Sequence, residues 1–327
     1  PMALIAQALA IKGVRRAWPC DGAIAVEVVD RYGRLRAGRV SDSGPVLSPY
    51  ACDPVLGRIP VGDGTLVVHR HGRRAVVVGA DRVDKHVRKG GGRIARATAA
   101  AGRAYRSWGL EVASVTSWSP TSVSFTRLPG RSLADLGDAG LPGWRLLADA
   151  WRAVGDQELP VHSGADEAGN LARWQEWARA FATVPDDPRV SGAVLEASRR
   201  LVEPAGAPLV VSHADLHDGQ LLWDGRSLGV IDLDGARMAE AALDLTNLRA
   251  HAELARLRGA LSARGLDSVI GWLDAAAARM PTSAPRLDAY LAAARLRLLF
   301  VHSFRPGSRA WLEGWKDHAL SDPTSTP

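Results

Sequence analysis

The β-forming runs of this 327-residue chain are confined to its first 130 residues, apart from one island at 209–234, and apolar patterns at helical spacing fill the rest. No other feature of the sequence constrains the fold as much. Strands show as clustered or alternating β-formers between turn residues. Helices show as apolar residues recurring every three to four positions. Ala23–Val29 and Leu35–Val40 flank the turn Arg31-Tyr32-Gly33-Arg34 and predict a hairpin. Leu66–Arg70 and Arg74–Gly79 flank His71-Gly72-Arg73 and predict a second. Arg82–Arg88, Glu111–Trp118 and Ser122–Arg127 predict further strands, and the Pro-, Ser- and Gly-rich stretch 41–64 predicts a loop. The Ala-rich segment Arg93–Trp108 follows Gly90-Gly91-Gly92 and predicts a helix.

Beyond Leu128-Pro129-Gly130, helices are predicted over Trp144–Val154, Leu171–Val184, Gly192–Val202, Glu240–Gly259, Asp267–Met280 and Ala284–Val301. Strands first and helices later, with one β island among the helices, is an α+β arrangement in two lobes. The expected division is 1–128 and 129–327. Hydrophobic residues at 46% and charged residues at 23% exclude a disordered, collagenous or coiled-coil chain. No apolar run approaches the roughly 18–20 residues of a membrane helix. The cations nearest the apolar N-terminus, Lys12, Arg15 and Arg16, follow it rather than precede it, the reverse of a secretory signal. Cys20 and Cys52 are too few for a disulfide framework or a cysteine-based zinc site. Together these features give the expectation of a cytoplasmic protein with reduced cysteines and no membrane partner.

The net charge of +6 is unevenly spread. Residues 1–130 carry 20 basic and 9 acidic side chains, whereas residues 131–327 carry 21 and 26. A basic half suits a polyanion, either a nucleic acid or the phosphates of a nucleotide. The basic half has no Lys/Arg run interleaved with aromatics and no zinc or helix-turn-helix signature, which argues against nucleic acid. Only four of the 41 basic residues are lysines: Lys12, Lys85, Lys89 and Lys316.

The chemistry is concentrated in the island. Val211-Ser212-His213-Ala214-Asp215-Leu216-His217-Asp218-Gly219-Gln220 is followed by Leu228-Gly229-Val230-Ile231-Asp232-Leu233-Asp234. Asp215 and Asp232 each lie just past a run of β-formers. Strands paired across Trp223-Asp224-Gly225-Arg226 would make their acidic ends neighbours. Converging carboxylates attract a hard divalent cation such as Mg²⁺, which also binds phosphate oxygens. Gln220 adds an amide oxygen. Of His213 and His217, one would hold the loop and the other would touch an anion.

His213-x-Asp215, Gln220 and Ile231-Asp232-Leu233-Asp234, in that order and spacing, resemble the catalytic and metal loops of kinases. The form is closest to the aminoglycoside phosphotransferase and choline kinase-like family, and Asp244-Leu245-x-Asn247-Leu248 resembles that family's next helix. Gln220, where asparagine is usual, resembles its maltokinase and glucosamine kinase-like branch. The resemblance implies a protein-kinase-like fold and transfer of the γ-phosphoryl group of ATP to a hydroxyl. It implies Asp215 as the acceptor-side catalytic residue and Gln220, Asp232 and Asp234 as Mg²⁺ ligands. Nucleotide contacts are implied for Lys85, His217 and, through the hinge segment Thr126–Gly130, Leu128. Asp244 would bond backbone amides of the catalytic loop, and His213 would pack that loop.

Kinases pair the strand lysine with a glutamate of the following helix, and Arg93–Trp108 contains no acid. The lysine's partner therefore comes from elsewhere, or phosphate alone holds it, or the chain is a silent kinase-like nucleotide-binding protein. Tyr32-Gly33 is the candidate glycine loop, with a plain turn as the alternative. Trp311, Trp315 and His302 are candidate acceptor contacts. The acidic balance of residues 131–327 favours a cationic acceptor such as an amino sugar.

Overall fold

The computed structural model describes residues 2–155, 157–204 and 206–321. Helix Met2–Ala10 lies on a four-stranded antiparallel sheet made in chain order by Val14–Cys20, Ala23–Val29, Leu35–Ser41 and Gly44–Leu47. The first expected hairpin is present. Its turn is held by Asp30, whose carboxylate accepts from the backbone N–H groups of Tyr32 and Arg34. Gly33 supplies the left-handed backbone, with φ +75°. Leu4, Ile5 and Ala8 pack on Ala17, Ile24, Val26 and Val40, and the same core takes in Phe181 and Phe304 from the helical part.

A second antiparallel sheet has the order Val115–Ser119, Ser122–Thr126, Arg82–Val87, Arg74–Val78, Thr65–Arg70. Lys85 lies inside it, opposite Val123 on one side and Val76 on the other. The sheets are tied by Glu27, whose carboxylate accepts from Arg15 Nε at 2.9 Å and from the backbone N–H of His69 at 2.7 Å. The 41–64 stretch is not wholly loop. Besides Gly44–Leu47 it holds the two-residue ladder Cys52–Asp53 with Gly57–Arg58.

Helix Gly91–Ser107 starts at Gly90, whose φ of 107° suits only glycine. Its alanines let it approach closely: Ala97, Ala100, Ala101 and Ala104 are buried in one core with Leu216, Val230 and Leu233 of the island. The expected strand 111–118 is split into Glu111–Val112 and Val115–Ser119, which serve different sheets.

The remaining large helices are Leu141–Ala150, Gly164–Ala180, Pro188–Val202, Ala242–Leu257, Ala263–Ala277, Ala284–Ser303 and Leu312–Leu320. Buried ion pairs fix their register. Arg295 makes two 2.7 Å bonds to Glu253, and Arg286 is bidentate on Glu240 at 2.7 and 2.6 Å. Burying such charges is tolerable because the geometry is bidentate and further donors, Tyr290 on Glu240 and His318 on Glu253, satisfy the carboxylates. Cys20 and Cys52 are free thiols. Among the described residues no helix is long and apolar enough to cross a membrane.

Candidate active site

The island forms its hairpin as expected, Leu221–Trp223 against Leu228–Val230. The strand ahead of Asp215, Val210–Ser212, belongs to a different sheet, where it pairs with Arg237–Ala239. The residue the hairpin sets opposite the second acidic segment is therefore Gln220, whose carbonyl accepts from the Ile231 N–H at 3.1 Å.

Two residues of the site hold left-handed backbone without being glycine: Ala214 and Asp232, each with φ 66°. Such conformations cost about 1–3 kcal/mol and persist only where neighbours over-determine them. At Ala214 the neighbour is Asp244, which accepts from the N–H of His213 at 2.6 Å and of Ala214 at 3.0 Å. Burial pushes the Asp244 carboxyl up, against the two N–H donors and His213. The His213 ring is buried and Nε2 lies 2.9 Å from the Ile231 carbonyl, so it ties the two acidic segments together. Both residues sit where the sequence assigned them.

Lys85 reaches across from the sheet to both acids of the second segment. Its Nζ is 2.5 Å from Asp232 Oδ1 and 2.5 Å from Asp234 Oδ2. Its side chain is 8% exposed, whereas Lys89 is exposed at the strand's end. The partner missing from the helix thus comes from these two aspartates. What helix Gly91–Ser107 contributes to the cleft is Thr98, buried, with its hydroxyl unpartnered among protein groups. Burial opposes the charge of Asp232, but Lys85, Arg74 and His213 more than offset it and hold the carboxyl well below the usual range.

Above these groups lies a cleft of about 340 Å³. Val67, Val76, Val78 and Phe125 form one wall, and Leu222 and Val230 form the other. Leu128 also lines it, packed on Gly229, where a Cβ would stand 2.8 Å from Leu128 Cδ1. An apolar slot with a few polar groups at one end suits a planar base carrying a charged tail. The turn that borders the cleft is His71-Gly72-Arg73, since Val67, Val68 and Arg74 on its two strands line it. Tyr32-Gly33 lies in the other sheet and is a plain turn.

The donor set fits a divalent cation. Gln220 Oε1 and Asp234 Oδ1 are buried oxygens with no protein partner, as expected of ligands awaiting a metal. Asp215 stands at the open side, its side chain 62% exposed and 3.6 Å from Nη1 of Arg297. Arg297 is a residue the sequence reading missed, because it sits 82 positions away in the middle of a helix. At His217, Nδ1 accepts from the Gly219 N–H at 3.0 Å and the ring stacks on His251 with centroids 4.9 Å apart. Trp315, a candidate acceptor contact, is fully buried and donates to the Arg295 carbonyl, so it belongs to the core. Trp311 and His302 are partly exposed and touch edge to face at 5.1 Å.

A family model described as the phosphotransferase enzyme family, APH, matches residues 85–278, from Lys85 to just past helix Ala263–Ala277. The chain belongs to that family. It is a phosphotransferase, and its fold is protein-kinase-like. Solved structures agree on the fold. An apo thermostable mutant of the aminoglycoside phosphotransferase APH(4)-Ia is 20% identical, with a TM-score of 0.53 over 81% of this chain and 96% of that one. The amicoumacin kinase hAmiN, in complex with AMP-PNP, Ca²⁺ and Ami, is 12% identical, with a TM-score of 0.55 over 79% and 88%. A choline/ethanolamine kinase family protein from Mesorhizobium loti is 15% identical, with a TM-score of 0.54 over 83% and 92%. No curated protein matches the sequence.

Proposed function

We propose that this phosphotransferase is an ATP- and Mg²⁺-dependent small-molecule kinase that phosphorylates a hydroxyl of a sugar, amino sugar or aminoglycoside-like acceptor. The observation that carries the reading is the convergence of Lys85, Asp232 and Asp234 at the mouth of an apolar slot that Leu128 also lines. Adenine would lie between the valine wall and Leu222, with its edge on backbone groups next to Leu128. Lys85 would move from the aspartates to the phosphates. Asp232, Asp234 and Gln220 would hold the magnesium ion, which when bound screens the phosphate charge during transfer. Asp215 would orient the acceptor hydroxyl and take its proton. His217 braces the loop between Asp215 and Gln220 through Gly219 rather than contacting the nucleotide.

The acid-free helix motivates a second reading, a silent nucleotide-binding protein. Two measurements separate them: ADP release across a panel of glucosamine, maltose, choline, aminoglycosides, D-glucuronate and glucose 6-phosphate, with and without a chelator, and calorimetry with ATP. Mg²⁺-dependent ADP release with one acceptor establishes the kinase. Tight ATP binding with no release across the panel establishes the silent protein.

A further inference from the structure

A cluster of arginines beside the cleft lacks counter-ions. Two guanidinium groups lie against the indole of Trp18, with Cζ of Arg305 4.9 Å and Cζ of Arg70 5.2 Å from the ring centre. Arg305 follows helix Ala284–Ser303 and donates to the Ala17 carbonyl at 2.7 Å. Arg70 ends the strand that enters the His71-Gly72-Arg73 turn. Arg16 is on the strand of Trp18. No carboxylate among the described residues lies within 4.0 Å of Arg70 or Arg305. Arg16 has only Glu27, at 3.9 Å, and that carboxylate is already bonded by Arg15 and His69.

These charges are costly where they stand. Burial, then the neighbouring arginines, pushes Arg305 down to about 9 and Arg70 down to about 10. Burial also lowers Arg16. A guanidinium still keeps its proton at neutral pH. Three positive charges therefore share a partly buried space with one carboxylate that is occupied elsewhere. Uncompensated charge of this kind is stable when an anion completes it.

The cluster joins the active site at both ends. Arg74 is near enough to weigh on Arg16 and Arg70, and its Nη1 is 3.7 Å from Asp232 Oδ2. On the other side Arg305 bears on His302, which is also surrounded by Arg258 and Arg297, and Arg297 touches Asp215. Arg16, Arg70 and Arg305 are not part of the nucleotide slot. Several acids counted in the negative balance of residues 131–327 are paired with other cations: Glu196 and Glu203 with Arg199, and Glu313 with Lys316.

We propose that Arg16, Arg70 and Arg305 around Trp18 form an anion-binding subsite of the acceptor pocket, so that the acceptor carries a carboxylate or phosphate besides the hydroxyl it presents to Asp215. This replaces the cationic acceptor suggested by net lobe charge. It rests on the kinase reading for the role of the site, but its test is a binding measurement that does not need turnover.

The nucleotide site is first filled with AMP-PNP and Mg²⁺. Calorimetry is then run with D-glucuronate, glucose 6-phosphate, glucose and glucosamine. The carboxylate and phosphate arms distinguish the two sources of negative charge. At least one anionic sugar is expected to bind ten-fold or more tighter than glucose, and glucosamine no tighter than glucose. Arg70→Gln and Arg305→Gln should each remove that preference, while AMP-PNP affinity stays within about two-fold. Should either variant fold poorly, Arg16→Gln, at the more exposed rim, should lower the preference at least three-fold. Equal affinity for glucose and both anionic sugars overturns the subsite. So does tighter binding of glucosamine, or a preference indifferent to all three substitutions. If AMP-PNP abolishes anion binding that occurs without it, the cluster belongs to the nucleotide phosphates and the proposal fails. A turnover screen run in parallel separates the readings: turnover of glucosamine or glucose alone removes the anion subsite and leaves the kinase, whereas anion binding without turnover of any acceptor removes the kinase and leaves the subsite.

Discussion

At the scale of single residues, the site is a set of charges placed by strain and burial. Asp232 sits in left-handed backbone at a strand end, 2.5 Å from Lys85, with its neighbour Asp234 equally close. Asp215 stands apart from them, solvent-exposed. That separation predicts different defects. Asp215→Asn should lower kcat by about 10²–10⁴-fold, the usual contribution of a positioned base, and leave ATP affinity unchanged by calorimetry. Asp232→Asn should weaken Mg²⁺-dependent ATP binding as well as turnover, because it removes a charged ligand; an unchanged metal dependence would exclude the role. Lys85→Ala should raise the KM for ATP while Lys89→Ala should not, since only Lys85 points from the strand interior into the cleft. Equal effects of the two would reverse that register. Asp215, Gln220 and Asp232 stood out in sequence because they share one local strand-and-loop motif, whereas Lys85 and Asp244 stood out only through the resemblance to the kinase-like family. Arg297 and Arg74 did not. They reach the aspartates from a distant helix and from a hairpin, and nothing in their own neighbourhoods marks them.

At the scale of elements, helix Ala284–Ser303 shows how one segment serves both stability and site. Arg286 and Arg295 on it lock helix Ala242–Leu257 and the turn just ahead of it through buried Glu240 and Glu253, Arg297 touches Asp215, and His302 lies near its end. Burial, then Arg305, Arg258 and Arg297, pushes His302 down to about 3. The folded protein therefore keeps this ring neutral where the unfolded chain, with an ordinary histidine pKa near 6.5, binds a proton. The unfolded state binds more protons below that value, so stability falls as pH drops. Between pH 7 and pH 5 the loss from this residue is about 2 kcal/mol. Urea midpoints of wild type and His302→Asn at the two pH values test it: the variant should lose less stability on acidification, and parallel losses would show that the ring is not kept neutral. The helix was legible from its apolar spacing, as were the two hairpins from their Gly-centred turns. Helix Met2–Ala10 and strand Val14–Cys20 were not. The first is almost uniformly apolar and has no polar face to give a period. The second carries Arg15, Arg16 and Pro19, which mask its β character; as the first strand of its sheet it needs pairing on one side only.

At the scale of the whole molecule, composition along the chain gives the order of strands and helices but not the joining of its two ends. The first third holds two sheets. Only the second lines the cleft at Lys85, while the first, with helix Met2–Ala10, shares a core with Phe181 and Phe304. Phe304 is fully buried, 5.9 Å from the Phe181 ring and 6.2 Å from Trp174, and the next residue, Arg305, bonds back to Ala17. Residues nearly 300 positions apart are thereby held together, and the basic cluster is assembled at that seam. Truncating a buried phenylalanine costs about 3–5 kcal/mol, a large part of the roughly 5–15 kcal/mol that holds a typical domain folded. Phe304→Ala should therefore lower the urea midpoint substantially. If the seam makes the two parts one cooperative unit, unfolding should remain a single transition with an unchanged slope, since the surface exposed on unfolding is the same. Near the new midpoint, limited proteolysis should cut the Met2–Leu47 region and the helical part at the same rate. Two separate transitions, with early cutting before Leu47 and ATP binding retained, would instead show that the first sheet unfolds independently and that the cluster around Trp18 is lost with it.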